Sequence, residues 1–263
     1  MGAAVGYGTM LGTVPRECPH CAGEGGTRAV SKASFSSGGR TVGSTAVEEA
    51  LRRKAYDDLA PTFDEELEWH EFFTGIKLMR WWMMRQARGN VLEVAAGTGR
   101  NFGYYPEGTK LTATDCSPAM VEVCRAKATG SSSAIDVRVE DVQAKKGMGF
   151  ESGSFDTVVD TFGLCSYEDP VAALREMARV CRRGDGRGEG CGRLLLIEHG
   201  RSRSHAWLTN ILDKHAAPHA TKWGCYWNRD IVGIVREAGL EIVQQHEFHF
   251  GTTHLIVAKP PEL

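Results

Sequence analysis

The sequence lacks a hydrophobic run long enough to cross a membrane. Its most apolar stretch, residues 78–84, is short and is interrupted by Arg80, whereas a membrane-spanning helix needs roughly 20 apolar residues. The N-terminus also has no basic region followed by an apolar one, which a secretion signal requires. We therefore expect no transmembrane segment and no secretion.

The sequence also has no large excess of either charge. Its 263 residues include 31 Lys and Arg against 33 Asp and Glu, which gives a formal net charge of −2. This balance provides no general electrostatic reason to bind nucleic acid, and we expect no nucleic-acid partner. Proportions of 42% hydrophobic and 24% charged residues are typical of a globular protein with one large domain or two small ones.

The cysteines do not form a disulfide or metal-binding framework. Six of the eight are widely spaced, which favours a reducing intracellular compartment, either the cytoplasm or an organelle. Cys18 and Cys21 form the one Cys-x-x-Cys of the chain, and because zinc needs four ligands we expect no metal site. Residues 1–45 around this pair are rich in Gly and Ser. We interpret them as a flexible segment before a domain at residues 46–263.

Short β-rich runs alternate with helical runs after residue 90. Strand, helix and strand in repetition predict parallel pairing, and the last two runs, joined at residues 249–251, predict an antiparallel hairpin. We therefore predict an α/β fold with a Rossmann-like, doubly wound, mostly parallel seven-stranded sheet that ends in an antiparallel hairpin. Helical spacing of apolar residues before the sheet predicts one helix over 63–87. The predicted strands are 91–95, 111–114, 135–139, 157–161, 194–198, 241–248 and 252–258, and the predicted helices within the sheet region are 118–128 and 170–182.

A glycine-containing turn follows the first predicted strand. Gly97 and Gly99 lie where the backbone of an open α/β sheet approaches its ligand. Sixteen residues after Gly99, Asp115 ends the second predicted strand, where a carboxylate can accept hydrogen bonds from a ribose. A dinucleotide site would have a third glycine where Phe102 stands. S-adenosylmethionine is therefore the better fit for the cofactor.

These motifs resemble those of the class I S-adenosylmethionine-dependent methyltransferases with a methyltransferase type 11 domain, across roughly residues 50–260. The resemblance implies that Glu93 and the Gly97 and Gly99 turn hold the methionine end of the cofactor, Asp115 the ribose and Asp141 the adenine amino group. The usual first glycine of the loop is Ala95 here, which we expect a turn with negative φ to tolerate. The matching segments are residues 91–99, 111–120, 140–141, 154–159 and 193–199, and the other cofactor-binding residues that the resemblance implies are Ala95, Asn101, Cys116 and Val142.

Within this class the sequence is similar to two groups. Residues 97–102 with a following Tyr-Pro, residues 164–166 and the pair Glu198-His199 resemble the methyltransferase-like thiol methyltransferases and the fungal mitochondrial methyltransferases linked to respiratory-chain assembly. The resemblance implies a small amphiphilic methyl acceptor, either a thiol, a quinol precursor or a lipid. It also makes the mitochondrion a candidate location.

Tryptophan is absent between residues 89 and 199, which build the cofactor half. All six tryptophans fall in 63–87 and 200–230, and we predict that these segments form aromatic caps over a substrate pocket. Positive charge beside apolar area in 200–230 suits an amphiphilic substrate, which could be anionic, or peripheral contact with a membrane. Ordinary core packing is the alternative. The candidate pocket residues are Trp69, Cys165, Trp207, Trp223 and Trp227.

Methyl transfer from a sulfonium needs positioning and exclusion of water, and a base only if the acceptor arrives protonated. His199 and Asp160, at the ends of the fifth and fourth predicted strands, are the candidate catalytic residues. Structural hydrogen bonds are the alternative role for each. Because no residue is indispensable for this chemistry, the rival function is a cofactor-binding assembly or scaffold protein without turnover. The sequence does not indicate an oligomeric state.

Overall fold

The computed structural model of the protein describes residues 46–131, 134–184 and 190–261. The segment 1–45, with Cys18 and Cys21, lies outside these residues. The helices are α1 Ala46–Leu59, α2 Phe63–Thr74, α3 Ile76–Met84, α4 Pro118–Thr129, α5 Pro170–Val180, α6 Ala206–Trp223 and α7 Ile231–Glu237, and the strands are β1 Asn90–Val94, β2 Lys110–Asp115, β3 Ile135–Val139, β4 Thr157–Thr161, β5 Arg193–His199, β6 Glu241–Phe248 and β7 Thr253–Lys259.

The strands form one seven-stranded sheet in the order β3-β2-β1-β4-β5-β7-β6. The first five strands in this order are parallel, and β7 runs antiparallel to both β5 and β6. The turn at His249–Gly251 joins β6 to β7. This topology confirms the predicted doubly wound sheet and its terminal hairpin.

The central strands are largely buried because helices cover both faces of the sheet. β4 and β5 are almost fully inaccessible to water except at their ends, and β5 carries an uninterrupted apolar run over residues 194–197. The helix α5 presents Leu174 and Met177 to the same core, and complete burial of each such side chain contributes roughly 1.5–3 kcal/mol. Ser117 and Asp169 cap the starts of α4 and α5, where they accept hydrogen bonds from Met120 N and Ala172 N.

The prediction of a single helix over residues 63–87 is wrong. Gly75 adopts a left-handed conformation with φ 76°, which ends α2 and begins α3. Helical apolar spacing continues through this break, so periodicity alone does not reveal it. The break also exposes Thr74 O, which lies 2.8 Å from Nε2 of His249 in the β6–β7 turn. In the described parts of the chain, no helix is both long and apolar enough to cross a membrane.

Candidate cofactor site

The carboxyl ends of the parallel strands gather acidic side chains at one edge of the sheet. Glu93 lies on β1, Asp115 ends β2, Asp160 lies on β4 and Glu198 lies on β5. Open α/β sheets bind their ligands at this edge. The candidate site is therefore built from the turns that follow these strands.

The turn after β1 depends on three residues with positive φ. Ala95, Gly97 and Gly99 have φ of 47°, 55° and 80°, so the expectation that Ala95 would adopt a negative φ is wrong. The strand geometry demands a left-handed residue at this point, and the alanine accepts the resulting strain of roughly 1–2 kcal/mol. A side chain at Gly99 would bring its Cβ within 2.7 Å of the Phe102 ring. The same ring occupies the place of the third glycine of a dinucleotide site.

Asp115 connects the second strand to this turn. Its Oδ2 accepts a hydrogen bond from Gly97 N and its Oδ1 accepts one from Ser117 N, both at 2.9 Å. Burial raises the pKa of the Asp115 carboxyl group. A carboxylate offers about four lone-pair positions, so two remain for the hydroxyls of a ribose. Cys116, the next residue, is half-buried.

Glu93 is buried at the centre of a hydrogen-bonded group. Its Oε2 accepts from the Tyr105 hydroxyl at 2.7 Å, and its Oε1 accepts from Asn101 Nδ2 at 2.8 Å. Arg80 Nη1 in turn donates to Asn101 Oδ1 at 2.8 Å. Burial raises the pKa of Glu93 to about 7, so its carboxyl group is only partly ionised near neutral pH, and a positively charged ligand beside it would favour the ionised form.

A set of ion pairs ties α2 and α3 to the glycine turn, which the sequence analysis did not predict. Glu71, which is buried, receives 2.9 Å contacts from both Arg80 and Arg100. Arg100 also pairs with Asp64 at 2.9 Å, and Thr98 donates to the same carboxylate at 2.7 Å. The only sequence signal for these ion pairs is the run of acidic residues in 55–76. Such a run is also expected near the start of a helix, where it stabilises the helix macrodipole, so the sequence does not reveal which arginines the acids pair with.

The helix α1 lies against the turns after β2, β3 and β4. Asp57 accepts a hydrogen bond from the Ser117 hydroxyl, Arg53 pairs with Asp141 at 3.2 Å, and the hydroxyls of Tyr56 and Ser166 are 2.7 Å apart. Asp141 and the buried Val142 follow β3 as predicted. No local sequence pattern indicates that α1 covers this edge.

A second acidic group lies at the ends of β4 and β5. Asp160 and Glu198 are both inaccessible to water, and Asp160 Oδ1 accepts from the Tyr167 hydroxyl at 3.3 Å. Asp160 Oδ2 and both Glu198 oxygens have no hydrogen-bond partner among the described residues. Burial raises the pKa of Asp160 to about 8 and that of Glu198 well above its usual value.

His199 has a different environment. Its ring stacks on Phe162, with the two ring centroids 4.4 Å apart. Burial, and then the neighbouring His70, lower its pKa to about 3. The imidazole is therefore neutral at physiological pH and is a weak base.

The predicted pocket residues do not all come together. Trp69 and Trp207 are 69% and 58% exposed, so they belong to the surface rather than to an enclosed pocket. Trp223 and Trp227 are half-buried, and Trp227 donates from its indole nitrogen to Leu212 O at 3.0 Å. Cys165 is buried in the turn after β4. Of the predicted pocket tryptophans, only Trp223 and Trp227, at the end of α6 and after it, are half-buried, whereas α2 and the start of α6 expose their aromatic rings.

Comparisons with known proteins agree with this arrangement. A family model described as "Methyltransferase domain" matches residues 92–185. The chain is 30% identical over 220 residues to the mitochondrial methyltransferase OMS1 of Saccharomyces cerevisiae, with 78% of this chain and 45% of that protein covered. It is 33% identical over 145 residues to the thiol S-methyltransferase TMT1A of Homo sapiens, with 54% of this chain and 55% of that protein covered. The chain thus spans about half the length of these relatives.

Solved structures share the fold. An S-adenosylmethionine-dependent methyltransferase of Thermotoga maritima superposes with a TM-score of 0.59 at 16% identity, with 80% of this chain and 99% of that chain covered. The strand order, the turn after β1 and the acid at the end of β2 fit the same cofactor. The chain therefore contains a class I methyltransferase domain of the S-adenosylmethionine-dependent type.

Proposed function

We propose that this protein transfers a methyl group from S-adenosylmethionine to a small amphiphilic acceptor, which is a thiol, a quinol precursor or a lipid. The observation that carries the proposal is the juxtaposition of the glycine turn with the buried, partly unpartnered Asp160 at one edge of the sheet. The thiol methyltransferase among the relatives supports the thiol as the first acceptor to test. The chain's partial coverage of its relatives leaves the acceptor open to experiment.

The residues at this edge fit the cofactor. Glu93 and the turn after β1 would hold its amino-acid end, Asp115 its ribose, and Asp141 with Val142 its adenine, as the family resemblance implies. Asp160 Oδ2 and both Glu198 oxygens are buried without a hydrogen-bond partner among the described residues, and because burying an ionised carboxylate is costly unless it is paired, a ligand with positive charge would favour their ionised forms. When bound, S-adenosylmethionine supplies an activated methyl group on a positively charged sulfur.

Asp160 is the residue that we propose as the base. Burial raises the pKa of the Asp160 carboxyl group well above its usual range and thus brings it closer to the pKa of a thiol, which is about 8.5; a smaller difference between the two pKa values favours proton transfer. The unpartnered Oδ2 of Asp160 is the atom that would receive the proton from the acceptor. His199 is a weaker base because of its low pKa, and we assign its ring to packing against Phe162.

Exposed aromatic side chains at the same edge support an amphiphilic acceptor and peripheral contact with a membrane. Phe73, Trp69, Phe250 and Trp207 are between 58% and 76% exposed. Hydrogen bonding joins the end of α2 to the β6–β7 turn, and His205 packs against the rings of both Phe250 and Trp207. Large aromatic rings of this kind favour the interface between lipid and water.

The proposal is tested by product formation. The purified full chain is incubated with labelled S-adenosylmethionine and a panel of thiols, quinol precursors and phospholipids, and S-adenosylhomocysteine is measured. We expect product with at least one acceptor and a loss of turnover of about 10²-fold or more in Asp160→Asn, with the affinity for S-adenosylhomocysteine, whose sulfur is uncharged, unchanged. Asp136→Asn, on the exposed part of β3, is the matched control. Cofactor binding without product from any acceptor would favour the rival scaffold function.

Membrane contact and location are tested separately. We expect the protein to sediment with phospholipid vesicles, and Trp69→Ala combined with Phe250→Ala to reduce the bound fraction. Val139→Ala, at an exposed site on β3, is the control. The relation to the mitochondrial OMS1 supports a mitochondrial location, which imaging of the tagged full chain would test. Vesicle binding that is unaffected by the double substitution would place the contact elsewhere.

A further inference from the structure

Arg229 is a half-buried arginine without an acidic partner. It follows α6 and precedes α7, and its Nη1 donates to Leu164 O in the turn after β4 at 2.6 Å. No carboxylate among the described residues lies within ion-pair distance of its guanidinium. By contrast, Arg80 and Arg100, which are also largely buried, are each paired with Glu71.

The acids close to Arg229 in sequence are engaged elsewhere. Asp230 accepts from Gly233 N and caps the start of α7. Asp213 on α6 accepts from Asn228 Nδ2 at 2.8 Å and lies 3.8 Å from Arg201. The charge on Arg229 is thus left without compensation by its own segment.

A second guanidinium increases the positive charge at this turn. Arg52 on α1 donates to Ser166 O, two residues beyond the carbonyl that Arg229 contacts. Burial lowers the pKa of Arg229. Because arginine stays protonated in proteins, this unfavourable environment is relieved when an anion binds there.

The surroundings also suit the apolar part of a ligand. The Tyr226 ring lies 5.5 Å from the Arg229 guanidinium carbon and is partly exposed. Tyr226 N donates to Cys165 O at 2.8 Å, so this aromatic ring is fixed to the turn after β4. That turn follows the strand that pairs with β1, and β1 leads into the glycine turn of the cofactor site.

We propose that Arg229 forms an anion subsite that holds a carboxylate or phosphate group of the methyl acceptor. A guanidinium recognises either group through paired N–H donors. The inference rests on the proposed function, because it specifies the charge of the acceptor for the same site. The acceptor is accordingly an amphiphile with an anionic group and an aromatic or aliphatic body.

The test measures binding and does not require turnover. Calorimetry compares 4-(methylthio)benzoate and 4-(methylthio)phenyl phosphate with the neutral 4-(methylthio)benzamide, each added to the full chain saturated with S-adenosylhomocysteine. We expect at least one anion to bind about tenfold or more tightly than the amide, since a charge-assisted hydrogen bond contributes roughly 1.5–3 kcal/mol. The anion that binds more tightly identifies the group.

Three variants separate recognition from a structural role. Arg229→Gln keeps a donor for Leu164 O but loses the charge, so it should abolish the preference for the anion. Arg229→Lys keeps the charge and should restore part of the preference, and it serves as the test if the glutamine variant does not fold. Arg203→Gln, at an exposed arginine of the same segment, should bind like the parent protein.

Two results would overturn the subsite. One is equal binding of the anions and the amide by the parent protein, and the other is an unchanged preference in both Arg229 variants. Failure of the proposed function gives a different result. A protein that binds the anion preferentially but forms no S-adenosylhomocysteine has the subsite and is not a methyltransferase. A protein that methylates neutral and anionic acceptors equally well is a methyltransferase without the subsite.

Discussion

Replacement of Asp115 by alanine tests whether the turn after β1 and the end of β2 form the cofactor site. The carboxylate accepts from Gly97 N and Ser117 N at 2.9 Å and, in our proposal, from the ribose hydroxyls. Asp115→Ala removes all of these contacts at once. The substitution should therefore weaken both the cofactor complex and the fold.

The two effects differ in size. Loss of hydrogen bonds between the ribose and a charged group costs roughly 1.5–3 kcal/mol, which weakens cofactor binding by about ten- to a hundredfold. Loss of the two backbone contacts is partly offset because the buried carboxylate, whose pKa is raised, is costly to ionise. We expect a net loss of about 1–2 kcal/mol in the free energy of unfolding, and a fall in Tm of about 3–6 °C for a domain of this size.

Isothermal calorimetry with S-adenosylhomocysteine and calorimetric melting measure these effects. Asp136→Ala is the matched control, since Asp136 is exposed on β3 and pairs with Arg138 on the surface. Its cofactor affinity should equal that of the parent protein. If Asp115→Ala also binds as tightly as the parent, the cofactor lies elsewhere and the assignment of the whole edge is wrong.

Three further predictions follow from the same turn and its surroundings. Burial raises the pKa of Glu93 from 4.5 to about 7, so between these pH values the folded protein binds a proton that the unfolded chain has released. The free energy of unfolding should therefore fall by roughly 1–3 kcal/mol as pH rises from about 4.5 to 7. Denaturant titrations of Glu93→Gln should show a smaller dependence of this free energy on pH. Gly99→Ala places a side chain at φ 80° with its Cβ only 2.7 Å from the Phe102 ring, and it should lower both the Tm and the cofactor affinity. Gly103→Ala, which has open space around its Cβ, should change neither. Equal Tm values for the two variants would contradict the predicted strain at Gly99. Ala95→Gly should remove the strain of a non-glycine residue at φ 47° and raise the free energy of unfolding by up to about 1 kcal/mol. A free energy of unfolding below that of the parent protein, measured by chemical denaturation, would show that Ala95 is not strained.

The sequence predicted the strands well because each is a short β-rich run between turn or helix signals. The predicted bounds of Ile135–Val139, Thr157–Thr161 and Glu241–Phe248 match the structure. The break at Gly75 escaped prediction because the apolar spacing of α2 continues into α3. The left-handed Ala95 also escaped it, since alanine gives no local signal for a positive φ.

Part of the candidate site follows from strand order and part from resemblance. The alternation of elements places Asp115 at the end of β2, whereas the roles of Glu93 and Asp141 are implied by the family resemblance. The contacts between Arg53 and Asp141, between Tyr56 and Ser166, and between Arg100 and Glu71 join residues 88, 110 and 29 positions apart. Such pairings depend on how the helices pack against the sheet, and no local pattern contains that information.

The position of α1 sets a condition on the timing of ligand exchange. One helix contacts the turns after β2, β3 and β4 through Asp57, Arg53 and Tyr56, so these turns cannot separate while the helix stays in place. We expect a cofactor bound at this edge, as in our proposal, to leave only after several of these polar contacts break together. The opening rate of α1 would then set its residence time, and a variant in α1 should alter the speed of exchange while the equilibrium affinity stays the same.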